Sequence, residues 1–336
     1  SYNTAVGYTA GAAVTTGVNN TIIGGLAGDA LAASNNNVAV GKSSLGAETT
    51  GGNSTAIGTH ALTSQNVGSG TNVQNTAVGY DAGQAITSGV QNTIVGAYAG
   101  DALTDADVNV AVGQNSLSSD TLGSGSVAVG QGTLNSQNFT TATTTYNTAV
   151  GYSAGNAVTT GVNNTLIGGL AGDAITTGFS NSLVGKLSGS ALTDADYNVA
   201  MGQQSLAQDT QGSTAVAIGS FALGTQNFTT ATNNYNVGVG YAAGGAITTG
   251  TFNTIIGGLA GDALTDADSN VAVGYSLSID TLGSRSTAVG SHTLINQNFT
   301  TATNTDNVAV GYAAGKEVTT GTQNTIIGGL AGVALT

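Results

Sequence analysis

Asn3-Thr4-Ala5-Val6-Gly7 decides the fold, because the chain is built from 19 versions of it. The stretch returns as Asn20-Thr21-Ile22-Ile23-Gly24 and as Asn37-Val38-Ala39-Val40-Gly41, and it still recurs at Asn324-Thr325-Ile326-Ile327-Gly328. Of the 18 intervals between closing glycines, 13 are 17 residues long, four are 21 and one is 16. So short and uniform a period predicts a solenoid in which each copy is one coil stacked on the last. The expected fold is therefore all-β, a parallel β-solenoid of about 19 coils, with residues 1–336 forming one continuous repeat region and no domain boundary.

Composition agrees with this reading. An α-helical reading fails because 53 glycines recur at fixed points among many Val and Thr residues. There is no proline, so every main-chain N–H is available to a strand ladder. With no cysteine, disulfides and thiolate metal sites are excluded, and cohesion must come from hydrogen bonds and packing. Four Lys plus Arg against 17 Asp plus Glu give a net charge of −13, the wrong sign for nucleic acid or an anionic membrane surface. No stretch has the length and apolarity of a membrane-spanning helix, so no membrane insertion is expected of this segment. The chain opens inside a repeat without an initiator Met, so it reads as a segment of a longer fibre protein.

Within each copy the residue before the glycine is Val or Ile in 18 cases and Met201 in the other, which predicts that this side chain fills the coil. The residue two before the glycine is Ala in twelve copies, Ile or Leu in six, and Gly238 in one. On this reading it points outward, and its apolar character implies a cover, most simply another copy of the same chain. The leading Asn, present in 15 of 19 copies, predicts a ladder of side-chain amides joining successive coils. Its four replacements, Ser54, Ser126, Ala215 and Ser286, all precede a 21-residue interval. Coils thus come in sets of four, three ordinary and one long, with an added coil at Asn181–Tyr197 and a one-residue deletion near Ser276-Leu277-Ser278. Coils one and two of a set carry Ala-Gly and then a branched apolar residue, as at Val14 and Leu31, whereas coils three and four carry Leu instead, as at Leu45 and Leu62.

Two features are candidates for chemistry. The long coils add residues at one place, Asn66–Gln74, 138–143, 227–232 and 298–303, and the last three carry Phe139, Phe228 and Phe299. Inserts map to loops on one face of a solenoid, which makes these rings candidate contacts for a glycan or a protein; the competing reading has them cap the core or pack on a neighbouring subunit. Leu-Thr-Asp-Ala-Asp occurs three times and pairs Asp105 with Asp107, Asp194 with Asp196, and Asp266 with Asp268. Carboxylates two apart on extended chain project to one side, a spacing calcium can use, although Asp also simply favours turns. No other cofactor is expected. The two histidines, His60 and His292, occupy a position that holds Gly132 and Phe221 in other sets, and no Ser/His/Asp pattern recurs, so no catalytic residue is expected and the chain does not read as an enzyme.

Asn-Thr/Val-Ala-Val-Gly repeated once per coil resembles the YadA-like head repeats of trimeric autotransporter adhesins, and Asn-Thr-Ala-Val-Gly-Tyr is similar to arrays in bacteriophage tail fibres. The resemblance spans the whole chain. It implies a left-handed β-roll, three identical chains side by side, and an extracellular place on a cell surface or virion tail. The implied role is attachment to a host surface, or projection of the part that attaches; the alternative is a purely structural filament or sheath subunit with no ligand of its own.

Overall fold

A computed structural model describes residues 2–68 and 72–336, so the middle of the Asn66–Gln74 insert lies outside the described residues. The chain divides into two compact units, Ser1–Asn164 and Thr165–Thr336. Each unit is a parallel β-solenoid, the two together supply the 19 coils, and there is no helix among the described residues. In the first unit, three-residue strands from β1 (Thr4–Val6) and β2 (Thr21–Ile23) to the strand Thr148–Val150 pair one coil with the next in unbroken register, Thr4 opposite Thr21 and Ala5 opposite Ile22. The second unit repeats this from Thr165–Ile167 to Thr325–Ile327.

The strand alternation is the reverse of the expected one. Ile22, Ala39, Ala56 and Ile94, each two before a closing glycine, are fully buried, whereas Ile23 and Ile57, just before the glycine, are 39% and 38% exposed. Both positions are apolar, so hydropathy alone does not orient the strand, and the constancy of Val/Ile belongs to the outer face. The physical reason is volume. A core side chain must fit the two others that share its coil, and the inward position varies between Ala and Ile or Leu to do so.

Those other two core positions lie four and seven residues after the glycine. Where the fourth is Gly, the seventh is aliphatic: Gly28 goes with Leu31 and Gly100 with Leu103, in coils whose inward strand residues are Ile22 and Ile94. A Cβ on Gly100 would lie 2.9 Å from Leu103 Cδ1 and 3.2 Å from Ile94 Cδ1, so those side chains already fill the space. Where the fourth is Leu, as at Leu45, Leu117 and Leu206, it sits at positive φ, and its bulk is matched by Ala39, Ala111 and Ala200 on the strand. The closing glycine is fixed for another reason. Gly96 has φ +138°, and a Cβ there would stand 2.5 Å from the carbonyl oxygen of Gly113 in the next coil.

Polar ladders join the coils. Asn92 donates its side-chain N–H to the carbonyl of Ala106 at 2.8 Å, closing its own coil, while its Oδ1 accepts the main-chain N–H of Asn109 at 2.9 Å. Thr104 and Thr193 donate their hydroxyls to the carbonyls of Thr121 and Thr210 one coil on, at 3.0 Å each.

The coil before each long coil carries a buried acid, Glu48, Asp120 or Asp209 at the seventh position and Asp280 at the sixth of the coil shortened by one residue, and 17 residues later comes a buried glutamine, Gln65, Gln137, Gln226 or Gln297. Asp120 Oδ1 accepts the main-chain N–H groups of Gly123 and Phe139 at 3.1 and 3.0 Å, and Oδ2 accepts the Gln137 side-chain amide at 2.5 Å. Gln137 also donates to Ser126 Oγ at 2.9 Å and accepts from Asn147 Nδ2 at 2.9 Å. The insertion bends the chain out of the stack, and the carboxylate satisfies the amides this leaves inside. Ser126 stands where other coils have Asn because Gln137 has taken over the Asn147 amide's contact. We expect Asp120→Ala to lower the unfolding free energy of its unit by about 3 kcal/mol, since it strands three buried donors. Asp120→Leu combined with Gln137→Leu should cost less than the sum of the single changes; thermal unfolding of Asp120→Ala, of the two single Leu variants and of the double measures both effects.

Candidate functional site

The outward strand face is the most extensive unusual surface of either unit. In the first unit the stacked outward residues include Val40, Ile57, Val78, Val95 and Val112, all partly exposed; in the second, Ile167, Met201, Ile218 and Ile256 stand 38–42% exposed. The other outward residue of each strand is Thr, Val or Ser. Consecutive strands lie about 4.8 Å apart, so these side chains form two columns, β-branched throughout the first unit and interrupted in the second only by Met201 in one column and Ser182 in the other.

Aromatic residues flank the columns. Immediately after the closing glycine stand Tyr80 and Tyr152 in the first unit and Tyr241, Tyr275 and Tyr312 in the second, all exposed. On the opposite edge, just before the leading Asn, are Tyr146 in the first unit and Tyr197, Tyr235 and Phe252 in the second. The rings touch along each unit: Tyr80 meets Tyr98 edge-on at 5.3 Å between centroids, Tyr235 stacks on Phe252 at 5.3 Å, and His292 lies between Tyr275 and Tyr312 at 5.5 and 6.0 Å. His60 packs near Tyr80 and its Nδ1 is 3.0 Å from Asp81 Oδ1. The Asp81 carboxylate, foremost, raises the Tyr80 phenol above its ordinary pKa. The signal for these rails was in the sequence, as Tyr following the glycine of each first coil, but it is legible only once the strand's outer face is known.

Phe139, Phe228 and Phe299 are each only 7% exposed, turned inward over the buried acids that accept their main-chain N–H groups. Little ring surface is left for a ligand. The Asp pairs lie on the surface of three coils, each pair flanking an inward alanine such as Ala106. One member accepts a hydroxyl from the preceding coil, Ser88 to Asp105 at 2.6 Å, Thr249 to Asp266 at 2.5 Å, and Thr177 to Asp194. The other accepts a main-chain N–H, Val90 to Asp107, Phe179 to Asp196, and Thr251 to Asp268, at 2.8, 2.9 and 2.7 Å. Each carboxylate thus has a turn-joining task, and among the described residues no group of three or more acids or histidines is placed to hold a metal ion.

Asp101, Asp173 and Asp262 share the fifth position after the glycine in coils that carry Gly-Asp-Ala, and each has a buried Oδ1 with no hydrogen-bond partner. Burial pushes these carboxyls up, with each residue's own main-chain N–H opposing; Asp81 adds to the rise at Asp101. No family model, no curated protein and no solved structure matches the chain.

An acid whose folded pKa is raised binds its proton more tightly folded than unfolded. Its contribution to stability therefore falls as pH rises from the unfolded value through the folded one, then stays constant. Asp101→Asn and Asp173→Asn should each raise stability at pH 7 by a few tenths of a kcal/mol, the size expected for partly solvated groups. The gain should vanish near about pH 3, where both states are protonated. Unfolding temperatures of variant and parent at the two pH values check this.

Proposed function

We propose that the chain is an extracellular fibre segment that associates with further copies of itself through its outward strand faces and mediates or projects attachment to a surface. One observation carries the reading: each unit presents partly exposed Val and Ile columns in constant register, edged by Tyr. An apolar stripe of that regularity loses exposed surface most completely against an identical stripe, because both repeat at the same pitch. Three chains, each with a left-handed coil, is the arrangement that the adhesin and tail-fibre resemblance supplies. The main-chain ladders and buried Asn contacts give such a segment stiffness without disulfides. The acidic surface keeps a long assembly soluble. The reading assigns no catalytic step to any residue.

Light scattering should give about three times the 32.4 kDa chain mass. Ile57→Lys with Ile218→Lys places a charge on the outward column of each unit and should convert the assembly to monomer with β-sheet circular dichroism unchanged. A monomeric parent chain would overturn the reading.

A further inference from the structure

A groove of about 400 Å³ lies on the second unit, its Phe221 wall adjoining the Tyr241 edge of the strand columns. Its origin is compositional. The fifth position after the closing glycine holds Ser118, Asn135 and Asn156 in three successive coils of the first unit, where Ser118 donates to Asn135 at 2.7 Å and Asn156 to the Gly132 carbonyl at 2.9 Å. The corresponding coils of the second unit carry Ala207, Gly224 and Gly245, so the same surface is hollow. Asp262 lines one end of the hollow, in the coil that follows Gly245.

The lining is equipped for a particular chemistry. Phe221 is 39% exposed, and its ring is braced edge-to-face by Tyr241 at 6.0 Å, leaving a fixed aromatic wall. The side-chain amides of Gln204 and Gln208 line the groove and make no hydrogen bond to the described residues. Thr225 spends its hydroxyl proton on the Gly245 and Ile247 carbonyls, 2.7 and 3.1 Å away, so its oxygen can only accept from a ligand. Asp262 Oδ1 is buried and unpartnered, so it is closed to the groove, and this residue contributes negative charge at one end. Free donors and acceptors of both kinds around an aromatic wall match a ring that is apolar on its faces and hydroxylated at its edge. No Lys or Arg lines the groove, and Asp262 repels anions, so a phosphorylated or carboxylated ligand does not fit.

We propose that this groove binds a neutral pyranose unit of a glycan, with Phe221 as the platform under the ring and Gln204, Gln208 and the Thr225 hydroxyl oxygen bonding its hydroxyls. The inference rests on the attachment reading, to which it adds the class of receptor. The test is saturation-transfer NMR of the full chain with the methyl glycosides of glucose, galactose, mannose and N-acetylglucosamine. Transfer to at least one is expected. It should fall at least tenfold in Gly224→Asn with Gly245→Asn, which fills the groove with the residues that coils of the first unit already accommodate there. Phe221→Gly, the residue found at Gly132, should abolish transfer as well, and unchanged thermal unfolding certifies both variants as folded. Transfer to none of the four, or transfer that survives both variants, overturns the proposal. Absence of transfer from a chain that still assembles removes the sugar and leaves the fibre reading; transfer to a monomeric chain does the opposite.

Discussion

Every coil leaves its main-chain donors and acceptors to be satisfied by the coils on either side, and this obligation fixes the perimeter. Gly24 donates to Val6 and Thr21 to Asn37, and each strand repeats the pair. A coil one residue longer or shorter within its strand would turn every inward side chain outward and break the stack. The leading Asn enforces the perimeter by bonding a carbonyl 14 residues along its own coil, as from Asn92 to Ala106, while holding the N–H of the next. Added length is consequently confined to one corner of the coil, that of the four 21-residue intervals, while the single one-residue deletion falls in the turn after Gly274.

That corner needs an unusual core. A carboxylate without a counter-cation is costly inside a protein unless its oxygens are filled. Asp120 is held by two main-chain amides and a glutamine, and Asp209 and Asp280 repeat the arrangement. The acid stands three residues after Leu117, Leu206 or Leu277, which already supplies the aliphatic volume of the coil, so the polar group and the large apolar one exchange places between coil types.

Much of the architecture was legible in the sequence, since glycine spacing and Asn recurrence give coil number, period and the long coils directly. The orientation of the strand was not. Ala5 and Val6 are both apolar, and which is inside depends on the volumes at Gly28 and Leu31 in one coil and at Leu45 and Glu48 in another, a three-body condition that a single column does not express. The Phe139 loop was placed correctly along the chain, but its direction depends on the Asp120 contact to its main chain, made across 19 residues. The Tyr rails and the groove beside Phe221 were hidden for the same reason: each depends on neighbours in adjacent coils, one at the edge of a face and the other where side chains are missing.

The acid and glutamine pairs also bear on how such a chain can grow. In all four sets the two partners are 17 residues apart, Glu48 with Gln65, Asp120 with Gln137, Asp209 with Gln226, and Asp280 with Gln297. The extra coil at Asn181–Tyr197 enters before Asp209, and the single deletion, after Gly274, falls before Asp280, so both edits leave a pair intact. A crossover between partners would strand a bare carboxylate in the core, whereas one elsewhere merely adds or removes a coil. The buried pair thus divides the gene into segments that recombination can shuffle freely and a short one that it must carry whole.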